Sequence, residues 1–357
     1  MAGRAVRVAT LGLGFGAAVH VPALAALPET EVVALGAREP ARAADAAERL
    51  GLDPALAVAG IDALLARRPQ VVTLAVPPDQ AEAAALRALD AGCAVLCEKP
   101  LAADAAAARR MAEAAASAGR PTAVDFQFAE LPPFRRLHQA LGDGIIGAPR
   151  HATVTWLMQS YAQKHGLWSW KSDATAGGGV MTLFGSHLLY LAEWLFGPAT
   201  RLWAAFDNKA TAAFAPAGAA AAEDTVHMRL EHAGGTVFHA TFGNAAPGIH
   251  RHQWHVAGET GSLVLDNASS DYMRGFTLTG AGSAADLAWR EPGAAEGDGR
   301  LPPFRALAER FLAAVREGTS FRPDFSDGAR VQDLMEAARR SARTGEVVNI
   351  TVAGRTQ

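Results

Sequence analysis

A chain of 357 residues is long for a single hydrophobic core and long enough for two ordinary domains. Half of its residues are hydrophobic and 19% are charged, a balance that excludes disordered and membrane-spanning proteins. A net charge of −3 offers no basic field for nucleic acid, so we expect neither a nucleic-acid nor a membrane partner.

The cysteine content gives a second exclusion. Cys93 and Cys97 are the two cysteines of the chain, too few for a disulfide framework and without a second ligand pair for zinc. We expect two buried, unreactive thiols. An apolar strand beginning near Val6 leaves no room for a cleaved signal sequence, and no apolar run reaches the roughly 20 residues needed to cross a bilayer. These observations predict a cytoplasmic protein.

The first 125 residues alternate short apolar runs with longer helical patterns. The strands are predicted at residues 6–11, 31–36, 71–76, 94–97 and 121–126. Helices are predicted from the first strand to about residue 27, and at 40–50, 79–91 and 104–118. The runs at 71–76 and 94–97 are continuously apolar, as in strands buried on both faces. The alternation predicts a parallel, doubly wound Rossmann sheet.

After about Phe126 the pattern changes to strands with turn signals. Helices are predicted at 132–141, 185–196, 303–317 and 327–343, and a mobile loop at 274–300. Strands are predicted at 151–158, 200–206, 225–231, 236–242, 253–256 and 262–265. This pattern predicts a mostly antiparallel sheet that is open on one face. We therefore expect an α/β protein with a Rossmann domain at 1–125 and an α+β domain for substrate binding and oligomerisation at 126–357.

A glycine-rich loop follows the first strand. Its sequence, Gly12-Leu13-Gly14-Phe15-Gly16-Ala17, fits the dinucleotide fingerprint Gly-x-Gly-x-x-Ala between a strand and a helix. Gly12 would allow the tight turn, Gly14 the approach of the pyrophosphate, and Ala17 close helix–strand packing. The start of the helix offers free N–H groups to phosphates. The loop, including Phe15 and Gly16, predicts an NAD(P) site.

The end of the second strand bears on the choice of cofactor. An acid there would bind the ribose 2′-hydroxyl of NAD, but the chain has Ala37 followed by Arg38. Arginine can pair with a 2′-phosphate. Glu39 is a possible substitute acid, although it is expected to begin the next helix. We expect NADP to be preferred over NAD.

Three further motifs carry a family resemblance. Cys97-Glu98-Lys99-Pro100-Leu101 follows a Rossmann strand, three glycines at 177–179 precede Gly185-Ser186-His187, and Gly258-Glu259-Thr260-Gly261-Ser262 lies in the second domain. Together with the glycine loop, they resemble the glucose–fructose oxidoreductase / inositol dehydrogenase (Gfo/Idh/MocA) family over nearly the whole chain. The resemblance implies hydride transfer between nicotinamide and a secondary hydroxyl or keto group of a sugar, cyclitol or nucleotide sugar.

The resemblance also implies catalytic residues. His187 would accept the proton and Lys99 would stabilise the developing alkoxide, and we expect the two to meet in one cleft beside the nicotinamide. Tyr190 lies where the family often has an acid, and Leu183 replaces another acid usually found four residues before the histidine. Tyr190 could therefore exchange a proton or only pack.

Other positions are candidates for binding. Val76, Pro77 and Glu98 are further predicted cofactor contacts, beside Lys99. The candidates for substrate contacts are Asp125, Gln127, Lys171 and Asp173.

His250, His252 and His255 resemble a metal-binding cluster. Alternation along a strand points the third away from the other two, so we expect no metal site. The sheet face there is expected to form a homodimer or homotetramer interface, as is common in the family.

Two other functions remain open from the sequence. Leu183 is compatible with an NADP-binding sensor or regulator without catalysis, whereas the presence of Lys99 and His187 argues against it. Some relatives of this fold cleave glycosides by transient oxidation with NAD, which is the second alternative.

Overall fold

The structure, a computed structural model, describes residues 5–291 and 297–351 and divides into two compact units. Unit 1 comprises Met1–Glu130 with Asp298–Gln332, and unit 2 comprises Leu131–Gly297 with Asp333–Gln357. The division predicted at residue 125 assigned 298–332 to the second domain, whereas in the structure this segment packs with the N-terminal unit. The chain therefore returns to its first unit at Asp298 and leaves it again after Gln332.

Unit 1 begins with alternating strands and helices. Its strands are β1 (Val6–Leu11), β2 (Thr30–Ala37), β3 (Ala57–Ala59), β4 (Val71–Leu74), β5 (Ala94–Cys97) and β6 (Thr122–Val124). Its helices in this part are α1 (Val21–Ala25), α2 (Pro40–Arg49), α3 (Gly60–Leu65), α4 (Pro78–Asp90) and α5 (Ala105–Ala118). The single helix predicted after β1 begins instead as a π-helical turn, Gly16–His20.

Unit 2 is built mainly from strands. These are β7 (His151–Gln159), β8 (Ala199–Asp207), β9 (Thr225–His232), β10 (Val237–Gly243), β11 (Ala245–Ala257), β12 (Gly261–Asn267), β13 (Thr277–Gly282), β14 (Ala288–Arg290) and β15 (Val348–Asn349). Its helices are α6 (Pro132–Gly142), α7 (Tyr161–His165), α8 (Ser186–Phe196) and α9 (Lys209–Ala212). The next helix, α10 (Leu301–Glu317), belongs to unit 1, and α11 (Phe325–Thr344) follows it. The boundary between the units falls within α11.

The sheet of unit 1 has the Rossmann strand order. Its six described strands run β3-β2-β1-β4-β5-β6, and every pair is parallel. The predicted doubly wound α/β fold is confirmed. The order reverses between β1 and β4, and ligands of such sheets bind where the strand order reverses, beyond the carboxyl ends of the strands.

Helix α10 supplies much of the core of unit 1. Phe304, Leu307 and Phe311 are buried against Val6 and Val8 of β1. These side chains are at most 2% exposed, so the burial of the first strand depends on a segment nearly 300 residues later in the chain. Apolar burial of this kind contributes roughly 1.5–3 kcal/mol for each large side chain.

The sheet of unit 2 is mixed and mostly antiparallel, as predicted. Its nine described strands run β14-β13-β12-β11-β7-β10-β9-β8-β15, and β7 with β10 is the parallel pair among them. Burial alternates along the strands: Val154 and Trp156 of β7 are buried, whereas His151 and Thr153 are exposed. One face therefore packs in the core and the opposite face is exposed or partly exposed.

The prediction of a mobile loop at 274–300 is wrong in part. Thr277–Gly282 and Ala288–Arg290 form β13 and β14, which extend the sheet from β12. β13 has little apolar content, and its strand state comes from pairing with β12, as that of β14 comes from pairing with β13. Residues 292–296 of the predicted loop lie outside the described residues.

Cys93 and Cys97 are buried free thiols, as predicted. Burial raises the pKa of both, which keeps them in the unreactive thiol form. Within the described ranges, no helix is long and apolar enough to cross a membrane.

His252 lies in the aromatic core of unit 2 and predicts an acid-sensitive fold. Trp254 Nε1 donates to His252 Nε2 at 3.0 Å, and Trp156 stacks on the imidazole with the ring centroids 4.1 Å apart. Burial lowers the pKa of His252 from 6.5 to about 3. Because the folded pKa lies below the unfolded one, its contribution to stability is complete above pH 6.5 and decreases as the pH falls toward 3.

We expect His252→Gln to remove this pH dependence, because glutamine can accept the Trp254 hydrogen bond without titrating. The difference in free energy of unfolding between wild type and variant should change by roughly 3 kcal/mol in favour of the variant between pH 6.5 and pH 4. Urea unfolding at a series of pH values measures it, with the exposed His165→Gln as control. Parallel pH curves for wild type and His252→Gln would contradict the assignment.

Candidate active site

The glycine loop lies at the carboxyl end of β1. Gly12 has a φ of +113°, and a Cβ there would overlap the carbonyl oxygen of Ala75, just past β4. A Cβ on Gly16 would lie 3.0 Å from Thr10 Cγ2 and 3.1 Å from the Ala75 methyl. The space beside Gly14 is open, with no atom within 4 Å of a Cβ placed there. Sterics therefore require glycine at position 12 and leave Gly14 accessible to a ligand.

The end of β2 is followed by an exposed cationic side chain. Ala37 is the last residue of β2, and the Arg38 side chain after it is 92% exposed. Its guanidinium lies 3.9 Å from the Glu39 carboxylate, a loose pair that a ligand could displace. Glu39 is the N-cap residue of α2, as expected, but its side chain makes no capping hydrogen bond.

The carboxyl ends of β5 and β6 bring four predicted residues to one edge of the sheet. Glu98 and Lys99 follow Cys97 of β5, and Cys97 is in register with Val124, the last residue of β6. Asp125 comes next and Gln127 two residues later; these two side chains are buried. Gln127 Nε2 donates to Asp125 Oδ2 at 3.5 Å.

His20 lies beside Glu98 and Asp125 at this edge of the sheet. It ends the π-helical turn after the glycine loop, and its side chain is fully buried beneath the ring of Phe304, with centroids 4.2 Å apart. His20 Nε2 lies 3.0 Å from Glu98 Oε1, and the Lys99 backbone N–H donates to Glu98 Oε2 at 3.2 Å. The Glu98 carboxylate thus connects the glycine-loop helix to the main chain of Lys99.

The pKa values of the two carboxyl groups at this edge, Glu98 and Asp125, are shifted in opposite directions. Burial, followed by the Glu98 charge and a hydrogen bond to Glu98, raises the pKa of Asp125 well above its ordinary value. Burial acts to raise the pKa of Glu98 as well, but His20, Asp125 and the Lys99 charge together outweigh it, and the pKa of Glu98 is lowered. Glu98 is therefore the ionised member of the pair.

Potential metal ligands group at the same place. Within residues 5–291 and 297–351, His20, Glu98 and Asp125 have ligand atoms within 4.8 Å of one another, whereas His250, His252 and His255 form no such group. His20 Nε2 and Glu98 Oε1 lie 3.0 Å apart, so this grouping includes an ordinary side-chain contact.

Gly178 and Gly179 of unit 2 lie too close to neighbouring atoms for a side chain, and the neighbour of Gly179 is the Glu223 carboxylate. A Cβ on Gly178 would overlap the carbonyl oxygen of Trp170, and one on Gly179, whose φ is +104°, would overlap the Glu223 carboxylate. Glu223 Oε1 accepts the Met181 N–H at 3.0 Å. Burial raises the pKa of Glu223. The glycines let this acid bind the start of the segment that leads to His187.

His187 lies in the first turn of α8, after a π-helical turn, Met181–Gly185. His187 is 4% exposed and Tyr190, one turn later, is 9% exposed. Residues three apart share one face of a helix, so both side chains lie on the same side of α8. Leu183 lies in the π-helical turn and is partly buried.

Lys171 and Asp173 lie in the loop before the glycines. Lys171 is exposed, with its Nζ 5.9 Å from the centroid of the Trp170 ring. Asp173 Oδ1 accepts from the backbone and the hydroxyl of Thr175 at 2.8 and 2.7 Å, and these bonds lower the pKa of Asp173. The Asp173 carboxylate therefore already stabilises its own loop.

Two family models together match most of the chain. Residues 6–126 match the oxidoreductase family with an NAD-binding Rossmann fold, and residues 138–350 match the C-terminal alpha/beta domain of the same family. The chain belongs to the Gfo/Idh/MocA oxidoreductase family. The resemblance drawn from its motifs is confirmed, and the chain is an NAD(P)-dependent oxidoreductase.

Gfo/Idh/MocA relatives align over almost the whole chain. An uncharacterized oxidoreductase of Synechocystis is 29% identical, with 94% of this chain and 93% of the relative covered. D-Apiose dehydrogenase of Paraburkholderia graminis is 27% identical, covering 96% and 89%. The solved structure of levoglucosan dehydrogenase with NADH and levoglucosan has a TM-score of 0.80 at 23% identity, covering 97% and 99%, which confirms the fold.

The residues of unit 1 fit the dinucleotide that the Gfo/Idh/MocA family implies. Open space beside Gly14 and the tight turn at Gly12 suit a pyrophosphate. Three buried polar atoms near the strand ends, His20 Nδ1, Asp125 Oδ1 and Gln127 Oε1, have no hydrogen-bond partner among the described residues. Buried polar groups are normally satisfied, so these atoms are compatible with a polar ligand at this edge.

Sequence reasoning missed His20 and Glu223. His20 follows the fingerprint by three residues, and its contact with Glu98 depends on the π-helical turn. Glu223 precedes β9 in a segment without a motif; the crowding beside Gly179 reveals it.

Proposed function

We propose that this protein transfers a hydride between nicotinamide and a secondary hydroxyl or keto group of a sugar, cyclitol or nucleotide sugar. The observation that carries the proposal is Lys99, placed just past the carboxyl end of β5 with its main chain held by Glu98. Relatives named D-apiose dehydrogenase and dTDP-3,4-didehydro-2,6-dideoxy-alpha-D-glucose 3-reductase support the substrate class.

In this proposal the dinucleotide supplies the hydride acceptor or donor. Gly12, Gly14, Phe15, Gly16 and Ala17 hold its pyrophosphate, and Arg38 reaches the 2′ position of its ribose. Further contacts come from the ends of β2, β4 and β5, at Ala37, Val76, Pro77, Glu98 and Lys99.

Lys99 and His187 divide the chemistry on the substrate oxygen. The Lys99 ammonium stabilises negative charge on that oxygen, and His187 accepts its proton during oxidation. Tyr190, on the same helix face as His187, is a further candidate for proton exchange. Leu183 cannot hydrogen-bond, so the imidazole is oriented by other groups. Asp125, Gln127, Lys171 and Asp173 are the proposed substrate contacts.

One assay tests the proposal. Purified protein is incubated with a panel of sugars, inositols and nucleotide sugars, with NAD and NADP separately, and the absorbance of reduced cofactor is followed. Turnover of at least one compound is expected. Tight NADP binding without turnover, accompanied by altered affinity for a partner, would instead support the sensor function that Leu183 favours.

The cofactor preference gives a specific prediction at Arg38. We propose that NADP binds more tightly than NAD, because the exposed guanidinium can pair with the 2′-phosphate. Arg38→Ala should weaken NADP binding roughly ten- to hundredfold, equivalent to about 1.5–3 kcal/mol, and leave NAD binding nearly unchanged. Titration calorimetry measures both affinities. Arg42→Ala is the matched control, because Arg42 is an exposed arginine nearby, on α2. Tighter binding of NAD by the wild type would contradict this preference.

We also propose self-association as a homodimer or homotetramer through the exposed face of the unit 2 sheet. His151 and Thr153 of β7 lie on this face, as do His239 of β10 and His255 of β11, by their alternation with buried neighbours. The exposed face of a nine-stranded sheet suits an isologous contact between two copies.

A further inference from the structure

A short segment of unit 2, residues 220–223, binds two stretches of chain that belong to the proposed active site. Backbone hydrogen bonds of 2.9 Å join it to residues 172–174, in the loop of proposed substrate contacts. At its other end, the Val180 N–H donates to the Glu223 carbonyl oxygen at 3.0 Å. Val180 leads into the π-helical turn that precedes His187. The segment is therefore a common support for the substrate loop and for the helix of His187.

The Glu223 side chain adds a bond of its own to this support. Its Oε1 accepts the Met181 N–H at 3.0 Å, at the first residue of the π-helical turn. The first N–H groups of a helix have no partner within the helix, so a side-chain acceptor there fixes where the helix begins. The side chain thus holds the turn, whereas the bonds to residues 172–174 come from main-chain atoms.

Gly179 makes room for the Glu223 carboxylate. Its φ of +104° suits glycine, and a Cβ at this position would overlap the carboxylate. The Gly179 N–H donates to the Lys171 carbonyl oxygen at 2.9 Å, which keeps the main chain close to the acid. Glycine loses more backbone freedom on folding than any other residue, so this close approach is kept at a cost in stability. Such a cost is expected where a contact has to be accurately placed.

A chain of contacts connects Met181 to His187. The π-helical turn passes directly into α8 at Ser186, and His187 is the second residue of that helix. The Ser186 hydroxyl donates to the Thr182 carbonyl oxygen at 2.9 Å, and Arg339 of α11 donates to the Thr182 hydroxyl at 3.1 Å. Closely packed structure transmits small shifts, so a displacement at Met181 moves the start of α8.

We propose that Glu223 is a positioning residue: by binding the Met181 N–H, it fixes the turn before α8 and so sets the direction of the His187 ring. The effect on turnover rests on the proposed function of His187 as proton acceptor. The effect on the placement of the ring does not, and it is measured separately.

Nuclear magnetic resonance of protein labelled with 15N-histidine tests the placement without substrate. The His187 ring signals are identified by their absence from His187→Gly. Glu223→Ala should shift these signals, whereas Glu223→Gln, which keeps an acceptor for the Met181 N–H, should leave them close to their wild-type positions. If Glu223→Ala does not fold, Glu223→Asp takes its place, because it draws the carboxylate back by one methylene and should shift the same signals.

Two results of this measurement would overturn the proposal. One is a set of His187 signals that stays at the wild-type positions in Glu223→Ala. The other is an equal shift in Glu223→Ala and Glu223→Gln, which would mean that the charge of Glu223 reaches His187 rather than its hydrogen bond.

Glu193→Ala is the matched control. Glu193 lies on α8 as well, and its Oε1 accepts the Ala199 N–H at 2.9 Å, beyond the far end of the helix. The substitution removes an equivalent bond between a carboxylate and the main chain. It should lower stability and leave the His187 signals unchanged.

Kinetics test the effect on turnover once a substrate is known. Glu223→Ala should lower kcat roughly ten- to hundredfold, the loss expected when a catalytic group is displaced by about 1 Å. KM should change little, because the main-chain bonds to residues 172–174 remain. In His187→Gly supplied with imidazole, the same substitution should have no further effect, since free imidazole is not oriented by α8.

An equal loss of kcat in both backgrounds would overturn the route through His187. Full activity of His187→Gly without imidazole would instead refute the proposed function of His187, while the ring signals still decide whether Glu223 places the ring.

Discussion

Replacement of Lys99 by methionine should lower kcat about 10²–10³-fold, the usual loss when one stabiliser of a developing oxyanion is removed. Methionine keeps most of the length of the side chain and removes the charge. The Glu98 contact is made by the Lys99 backbone N–H, so the substitution leaves that hydrogen bond in place. Steady-state kinetics on a substrate found in the sugar panel measures the effect, and KM is expected to rise as well.

Lys164→Met is the control for this experiment. Lys164 is exposed on α7, and its ammonium belongs to none of the proposed contacts. Cofactor affinity, measured by calorimetry, should change little in either variant. A Lys99→Met protein that turns over substrate at the wild-type rate would exclude Lys99 from the chemistry.

Replacement of His187 by glycine should have a comparable or larger effect, about 10²–10⁴-fold on kcat, because it removes the proposed proton acceptor. The cavity left by the ring offers a further test, since added imidazole should restore part of the turnover if the ring acts as a base. NADP affinity should remain nearly unchanged, because the proposed cofactor contacts lie in unit 1.

His232→Gly is the matched control for His187→Gly. His232 is likewise buried in unit 2, where its Nδ1 lies 2.6 Å from the Gly197 carbonyl oxygen. This variant should lose stability, and imidazole should not raise its kcat. Full activity of His187→Gly without imidazole would show that the proton goes elsewhere, with Tyr190 as the next candidate.

Much of the fold could be predicted because burial leaves a local pattern. Continuous apolar runs at β4 and β5 reflect strands covered on both faces, and alternation along β7 reflects a strand covered on one. β13 and β14 could not be predicted, since their strand state depends on pairing with a neighbouring strand, β12 for β13 and β13 for β14, rather than on apolar content. The packing of α10 in unit 1 is likewise a long-range contact without a local signal.

In the candidate site, too, the positions of some residues could be predicted from the sequence and those of others could not. Glu98, Lys99 and Asp125 could be predicted to lie together, because parallel strands end at one edge of the sheet. His20 could not, because a π-helical turn changes which side chains face the sheet compared with an α-helix. The pairing of Glu223 with the glycines at 178 and 179 depends on backbone conformation, which a residue pattern does not reveal.

The contribution of α10 to unit 1 has a consequence during synthesis on the ribosome. When Glu130 has been translated, β1 lacks the Phe304, Leu307 and Phe311 side chains that cover it. At about 5–20 residues per second, residues 131–300 take roughly 10–30 s to be made, and during this time the nascent unit exposes apolar surface. The N-terminal unit therefore finishes folding only after β7–β14 of unit 2 have been synthesised, and its growing chain is a natural client for chaperones.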